Sequence, residues 1–333
     1  MTLTGNPVVP TLLADGPASP VTIRPETLEQ GLSTLSALAG QPPSQPPGEP
    51  VLIAGGTDIY PARVGQTLMS PTIDLSALTE LSGVSRTRIS DQDFIRIGAM
   101  TRWAQLRDRG SPLLAGPAHD ALAMAAAEVG GRQIQNRATL GGNLCNASPA
   151  ADGVPVLLAL NASVVLSSTD GSRILPVDQF ITGPRRTVLR ANELLEAILI
   201  PDTASLPGLC HSAFLKLGQR RYLVISAAMV AISLRWSGVG NPVLEAGAVA
   251  VGSCGPAACR LAQLEQQLRG LSPGQLHQLS ERALNPDWLQ PLRPITDMRA
   301  SAAYRTGAVD IMIRRCLAVL SQAPGQSAVG GLS

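Results

Sequence analysis

Residues 133–160 read QIQNRATLGGNLCNASPAADGVPVLLAL and carry the most informative pattern in the chain. Two adjacent glycines lie inside Thr139–Asn143, and an apolar segment follows at 154–160. A glycine pair lets the backbone approach a ligand closely, and successive N–H groups can then face one anion. The stretch therefore predicts an anion-contacting glycine turn at residues 139–143, ahead of a buried or β-prone apolar segment.

A second glycine pair lies upstream, where a short apolar strand at 51–54 runs into Gly55-Gly56-Thr57-Asp58. Two such turns could together hold both halves of a pyrophosphate without lysine, which suits a chain with one lysine, Lys216, among 26 basic residues. Neither segment matches G-x-G-x-x-G, the dinucleotide fingerprint of a wound parallel sheet. The alternative is that each pair is an ordinary tight turn.

Hydrophobic periodicity and turn residues predict the remaining elements of the chain. The strands come in groups with few helices between them, which favours an α+β fold over a wound parallel sheet. The predicted strands are 51–54, 72–75, 94–98, 213–217, 223–234 and 245–251, with apolar, β-prone or buried segments at 154–160, 164–166 and 194–200. The predicted helices are 26–38, 115–129, 260–268, 276–283 and 301–320.

A shift in composition at 201–208 predicts a domain boundary. We expect a loose extension over residues 1–20, a first domain over 21–204, a C-terminal domain over 205–321 and a Gly/Ser-rich tail over 322–333. Within the first domain, we expect subdomains at about 21–75 and 76–204.

Composition excludes several classes of function. Hydrophobic residues make up 45% of the chain and charged residues 15%, as expected for a folded protein. The net charge is +2 without long basic runs, which argues against binding to nucleic acid. The longest apolar run, Tyr222–Leu234, is 13 residues, whereas a membrane span needs about 20. We therefore expect neither nucleic-acid binding nor a membrane span.

The cysteines and histidines do not form a metal-binding pattern. The five cysteines include no C-x-x-C pair and the three histidines are scattered, so we predict no zinc or iron–sulfur site in this chain. His119 and His211 are interpreted as structural. The N-terminal MTLTGNPVVP has neither the basic nor the apolar region of a signal peptide, and the expected localisation is cytoplasmic.

Residues 133–160 resemble the signature segment of the FAD-binding subunits of molybdenum hydroxylases, the family of xanthine dehydrogenase and aerobic carbon monoxide dehydrogenase. Residues 51–59, VLIAGGTDI, are similar to the family's other FAD loop. The resemblance implies an FAD-binding domain of two α/β subdomains, of the PCMH type. A C-terminal domain with a small antiparallel sheet and helices would follow. The resemblance covers about residues 20–320 in family order, with further matching segments at 180–186, 194–201, 214–221 and 297–305.

The resemblance also implies a function. The chain would hold FAD, accept electrons from a 2Fe–2S partner subunit and pass them to NAD+, oxygen or another acceptor. Substrate hydroxylation would take place in a molybdopterin-binding large subunit, so no catalytic or metal-binding residue is expected here. Two alternatives stay open: a self-contained flavin-dependent oxidase or dehydrogenase, and a diverged scaffold subunit without flavin.

Carried over residue by residue, the resemblance implies FAD contacts in both glycine segments and at separate positions beyond them. Asp152 would hydrogen-bond toward the cofactor, or would alternatively only cap the next segment. Lys216 would lie near the flavin ring, where a cation stabilises the reduced, anionic form. Cys145 is interpreted as a small packing residue. The full set is Leu52, Ile53, Ala54, Gly55, Gly56, Thr57, Asp58, Ile59, Thr139, Gly142, Asn143, Cys145, Asp152, Leu195 and Lys216.

The sequence departs from the family pattern at two places. Gln135-Asn136 stands where the family often has Arg-Asn, and Val129 stands where some members place an aromatic ring against the flavin. Only nine residues are aromatic (three Trp, three Tyr and three Phe), so we expect aliphatic side chains to hold the ring.

Overall fold

The computed structural model describes residues 21–40, 50–66, 68, 70–205, 208–220, 223–238 and 240–322. The predicted N-terminal extension and almost all of the predicted tail lie outside these residues.

A small parallel sheet with one helix opens the described chain. Its elements are β1 (Thr22–Ile23), α1 (Leu28–Ala39), β2 (Val51–Ile53) and β3 (Thr72–Asp74), and the strand order is β1-β3-β2. Helix α1 begins slightly later than predicted because Thr27 caps it: the Thr27 hydroxyl accepts from the Gln30 amide at 3.3 Å. Leu35 of α1 packs beside Ile73 of β3 in a small core.

The next part of the chain is a five-stranded antiparallel sheet with helices. Its strand order is β4-β5-β10-β6-β7, and β8 and β9 form a separate hairpin. In chain order the elements are β4 (Val84–Ile89), β5 (Gln92–Gly98), α2 (Trp103–Arg107), α3 (Asp120–Glu128), α4 (Arg132–Gln135), α5 (Leu140–Asn146), α6 (Gly153–Ala159), β6 (Ser163–Ser168), β7 (Gly171–Pro176), α7 (Val177–Phe180), β8 (Ile181–Gly183), β9 (Arg186–Thr187) and β10 (Leu194–Pro201).

Two elements here differ from the sequence predictions. The apolar segment at 154–160 is helical, as α6, and every residue of α6 is buried. Because an all-apolar helix has no polar face, its periodicity could not separate helix from strand. The predicted helix over 115–129 is shorter in the structure, because Pro117 opens a separate 3-10 turn, Pro117–His119, before α3.

A four-stranded antiparallel sheet and three helices form the C-terminal part. The strands are β11 (Leu209–Leu217), β12 (Ala228–Trp236), β13 (Leu244–Gly252) and β14 (Cys259–Arg260), in that order across the sheet. The helices are α8 (Ala262–Leu268), α9 (Pro273–Ser280) and α10 (Ala302–Gln322). All of these except β14 correspond to predicted elements, although β12 begins later than the predicted 223.

The C-terminal sheet is covered on both faces. Phe214, Met229 and Ala231 pack into the core shared with the preceding part of the chain, whereas Val230 and Ile232 pack against α10 and its neighbours. This division follows the alternation of side chains along a strand. The fold is α+β, as predicted, and the domain limits stay predictions. Among the described residues, no helix is long and apolar enough to cross a bilayer.

Candidate functional site: a cavity between the two glycine segments

One cavity of about 590 Å³ lies between the loop after β2, the start of α5 and the start of β10. All of the predicted site residues except Asp152 and Lys216 line it. The two glycine segments, which are about 85 residues apart in the chain (56 to 141), therefore face the same space. The volume falls in the range of roughly 300–1,000 Å³ that small-molecule sites occupy.

The first glycine segment follows β2 and requires both of its glycines. Gly56 has φ +73, and a Cβ there would lie 2.7 Å from Cε2 of Tyr60. A Cβ on Gly55 would lie 2.1 Å from the carbonyl oxygen of Arg137, which precedes the second segment. The backbone of the first segment at Gly55 thus packs directly on the backbone of Arg137, just before the second segment. No residue with a side chain fits at position 55.

Backbone donors of the first segment remain available to a ligand. Within the described part of the chain, the amides of Gly55, Gly56 and Thr57 donate to no other residue. Half-buried amides without a protein acceptor require another acceptor, and successive amides around a glycine of positive φ suit an anion.

The second glycine segment is a helix start rather than the predicted turn. Thr139 is the N-cap of α5, and its hydroxyl accepts from the Gly142 amide at 3.1 Å. The amides of the following residues are also used by the protein: Leu140 donates to Thr101 O (3.0 Å), Gly141 to Ala99 O (2.8 Å) and Asn143 to Thr139 O (3.1 Å). The prediction that successive amides of this segment face an anion is wrong, because the Thr139 cap, the first turn of α5 and the carbonyls of Ala99 and Thr101 accept from them.

The glycines of the second segment let its backbone lie close to the space inside the cavity. A Cβ on Gly142 would lie 3.0 Å from Oγ1 of Thr139 and 3.7 Å from Cβ of Ala54, which belongs to the first segment. Asn143 faces the same space, and its Oδ1 accepts from the Gly153 amide at 3.3 Å. A side chain at Gly142 would therefore crowd Thr139 and reach Ala54 on the wall of the cavity.

Arg185 joins the two segments at the cavity rim, and its role was not predicted. Its Nη1 lies 2.9 Å from Oδ2 of Asp58 in the first segment and also contacts Oδ1 of Asn146 at the end of α5. Arg185 is 127 residues from Asp58 in sequence, and no local pattern links them. The resemblance drew attention to residues 180–186, but only the tertiary structure shows this contact.

Aliphatic side chains also line the cavity. Val129, Leu189 and Leu195 line it, and Val129 and Leu195 are buried. Cys145 also lines the cavity, and burial raises the pKa of its thiol to about 12. A thiol with so high a pKa stays protonated at neutral pH, in keeping with the packing role expected for Cys145.

Asp152 and Lys216 form a buried ion pair behind the cavity wall. Lys216 Nζ lies 2.8 Å from Asp152 Oδ2, and the two side chains are 5% and 9% exposed. Lys216 Nζ also donates to the carbonyl of Glu128 at 2.9 Å, and the Ser226 hydroxyl donates to Asp152 Oδ1 at 2.7 Å. Neither member of the pair lines the cavity, so the structure does not show the direct contacts that were predicted for them.

The ion pair is attached to the wall through neighbouring residues. Glu128 precedes Val129, and Asp152 precedes Gly153, whose amide donates to Asn143. Asp152 occupies the N-cap position of α6, but its side chain makes no capping bond, so the alternative of a simple cap is wrong. Burial raises the pKa of the Asp152 carboxyl, and the Lys216 charge and the hydrogen bonds from Lys216 and Ser226 oppose that rise.

The residues that line this cavity suit a ligand with an anionic part and a planar apolar part. Free amides and glycines that allow close approach line the same cavity as aliphatic residues that can cover a ring.

Two family models cover most of the chain. Residues 18–203 match the model described as the FAD binding domain in molybdopterin dehydrogenase, and residues 213–320 match the CO dehydrogenase flavoprotein C-terminal domain.

Individual relatives agree with the family models. The chain is 35% identical over 209 residues to the nicotinate dehydrogenase FAD-subunit of Eubacterium barkeri, covering 61% of this chain and 64% of that protein. It is 29% identical over 275 residues to the xanthine dehydrogenase FAD-binding subunit of Escherichia coli O157:H7, covering 82% and 89%. Carbon monoxide dehydrogenase from Hydrogenophaga pseudoflava is a structural neighbour, with a TM-score of 0.73 and 26% identity over 91% of this chain and 97% of that one.

The chain belongs to the family of FAD-binding subunits of molybdenum hydroxylases. It is an oxidoreductase subunit, and its cofactor is FAD. The predicted family, fold class and cofactor are confirmed. The assignment of individual residues to the cofactor stays a prediction.

Proposed function

We propose that this chain is the electron-transfer subunit of a molybdenum hydroxylase, receiving electrons from a 2Fe–2S partner subunit and delivering them to NAD+, oxygen or another acceptor. Bound FAD supplies a redox centre that exchanges electrons with both sides. Substrate oxidation would occur in a molybdopterin-binding large subunit. The observation that carries the proposal is that unpaired backbone amides and aliphatic side chains of the described residues line one and the same cavity.

The first glycine segment, Leu52 to Ile59, would hold the pyrophosphate. Its unpaired amides are the only structural feature needed for this, because backbone nests bind phosphates without lysine or metal. Arg185 would keep this segment in place by pairing with Asp58 and contacting Asn146.

The second segment would contribute shape. Thr139 fixes the start of α5, Gly142 leaves room beside Ala54, and Asn143 and Cys145 complete that side of the cavity. Leu195 would pack against the ring, together with Val129 and Leu189.

Asp152 and Lys216 would act on the ring end by positioning its wall. Lys216 holds the carbonyl of Glu128, next to Val129, and its ammonium group provides a positive charge behind that wall. In a water-poor surrounding such a charge acts over several ångströms, which favours the anionic, reduced state of a nearby ring.

The proposal is tested with the purified chain and with the assembled complex. The chain should show flavin absorption bands and release intact FAD on heat denaturation, as identified by mass. Its flavin should stay oxidised when the substrate of the complex, the molecule that the large subunit hydroxylates, is added to the chain alone. Chemically reduced 2Fe–2S subunit should then reduce it rapidly in an anaerobic stopped-flow experiment.

Two results would contradict the proposal. Reduction of the flavin by substrate in the isolated chain would support a self-contained oxidase. Failure of the reduced 2Fe–2S subunit to reduce the flavin, although the complex assembles, would exclude the electron route. Reoxidation by NAD+, oxygen or a quinone, compared in the same instrument, identifies the acceptor.

A further inference from the structure

A second cavity, of about 370 Å³, lies where the FAD-binding domain meets the C-terminal sheet. His119, just before α3, lies on one side, together with Ile200 at the end of β10. Ser233 and Arg235 of β12 and residues of α8 lie on the other. This cavity shares no lining residue with the FAD cavity. It is therefore a separate space that the proposed function does not use.

Short side chains on the C-terminal sheet create the hollow. Ser233 pairs with Ala248, and the next position of the same face pairs Arg235 with Ala246. Farther along this face, Phe214 and Met229 fill the contact between the two parts of the chain. The sheet is therefore sealed at one end and open at the other, because side chains at alternate positions share a face.

His119 lines this cavity with a buried imidazole ring that makes no hydrogen bond to the described residues. The residue is 5% exposed, and neither ring nitrogen has a partner within the described part of the chain. Burial lowers the pKa of His119, with Asp202 and Asp120 opposing the change and Arg109 adding to it. A neutral imidazole offers one N–H donor and one acceptor. Buried polar groups without partners are rare in folded proteins, so a ligand in this cavity is the natural partner.

The lining of the cavity also carries excess positive charge. Arg235 is balanced by Glu245 at 3.0 Å, and Arg260 is balanced by Glu265. Arg269, exposed at the end of α8, pairs with no acidic group among the residues that the structure describes. Arginine binds carboxylates in a bidentate manner, so an acid group is the ligand chemistry that fits here.

We propose that this cavity binds a small organic acid whose carboxylate pairs with Arg269 and whose compact body carries a polar group that hydrogen-bonds to His119. Leu160, Ile200 and Ala248 supply apolar surface for the body of such a ligand. Because the ligand would contact both the FAD-binding domain and the C-terminal domain, it would strengthen their association.

The test uses the purified, FAD-loaded chain with ¹³C-labelled histidine. The chain has three histidines, so the ring signals are few, and the signal of His119 is identified with a His119→Phe variant. The probe is 4-hydroxybenzoate, which carries a carboxylate at one end and a hydroxyl at the other. We expect the His119 signal to shift on titration while that of His277, in α9, stays in place.

Two comparisons test the chemistry of the site. Arg269→Gln should weaken binding of the probe about tenfold or more, because a charge-assisted pair is lost. Arg282→Gln removes an equally exposed arginine outside the cavity and should leave binding unchanged. The neutral analogue 4-hydroxybenzamide should bind about tenfold more weakly than the acid to the unaltered chain. Ser233→Leu, which fills the hollow, should abolish the shift.

The proposal is overturned if the probe leaves the His119 signal unchanged up to about 10 mM, a concentration that detects even millimolar affinity. It is also overturned if Arg269→Gln and Arg282→Gln bind the probe equally well. FAD content, measured by absorbance in every variant, should not change. This separates failure at the second cavity from failure of the flavin assignment.

Discussion

Lys216, the chain's one lysine, places its Nζ atom 2.8 Å from Oδ2 of Asp152 in a buried ion pair. The pair links β11 to the residue before α6, and Lys216 reaches the carbonyl of Glu128 at the end of α3 as well. Three elements next to the cavity that we propose for FAD thus meet at one ammonium group. The consequences for stability and for the flavin can be measured separately.

Loss of the lysine should destabilise the fold. In Lys216→Met, Asp152 stays buried without its partner, and we expect the free energy of unfolding to fall by about 3–5 kcal/mol at neutral pH. Denaturant titration measures it. The double variant Lys216→Met/Asp152→Leu should recover much of the loss, because it leaves no uncompensated charge. Equal stability of Lys216→Met and the unaltered chain would contradict a buried ion pair.

The stability loss in Lys216→Met should depend on pH. Burial raises the pKa of Asp152, and without Lys216 nothing but the Ser226 hydroxyl opposes that rise. An acid with a raised folded-state pKa is stabilising while protonated, and that contribution is lost as pH rises through the folded pKa. The deficit should therefore be smallest below about pH 4, the ordinary range of Asp, and should widen toward neutral pH. Denaturation curves at several pH values test this, and a constant deficit would contradict it.

The flavin should also respond to Lys216. A positive charge behind the ring wall favours the reduced flavin, so Lys216→Met should retain FAD but lower its midpoint potential. An anaerobic redox titration measures the potential. Ser226→Ala serves as the comparison, since it removes a hydrogen bond to Asp152 without removing the cation. If both variants show the same potential as the unaltered chain, Lys216 does not influence the flavin.

The first glycine segment should tolerate no side chain at position 56. Valine there meets Tyr60 and an unfavourable φ of +73, and we expect loss of FAD. Gly65→Val is a matched control, because Gly65 has φ +75, lies outside the cavity wall and has no atom of the described residues within 4 Å of its added Cβ. Absorbance ratios of flavin to protein compare the two. Full flavin occupancy in Gly56→Val would exclude this loop as the pyrophosphate site.

Arg185 should matter for cofactor affinity more than its exposure suggests. Arg185→Ala removes the contacts to Asp58 and Asn146, and we expect FAD to bind several-fold more weakly, in line with about 1 kcal/mol for a partly exposed pair. Arg186→Ala, at the exposed start of β9, should have no effect. Fluorescence titration of the apoprotein with FAD measures both, and equal affinities would rule out a role for Arg185 in holding the loop.

Local sequence was sufficient for the α+β class, for most of the strands and for the glycine loop after β2. These features depend on short-range properties: side-chain alternation, helix periodicity, and the φ freedom of Gly56. The resemblance of residues 133–160 added the family and the cofactor, which the family models and relatives then confirmed.

Tertiary structure alone decided which atoms meet. It showed that Gly55 packs against the carbonyl of Arg137, that oxygens of the protein itself accept from the amides of the second segment, and that Arg185 reaches Asp58. It also placed Lys216 against Asp152 rather than in the cavity wall, and left His119 buried without a partner in the described residues. Such contacts join positions far apart in the chain, and they depend on how whole elements pack, which no local pattern of residues encodes.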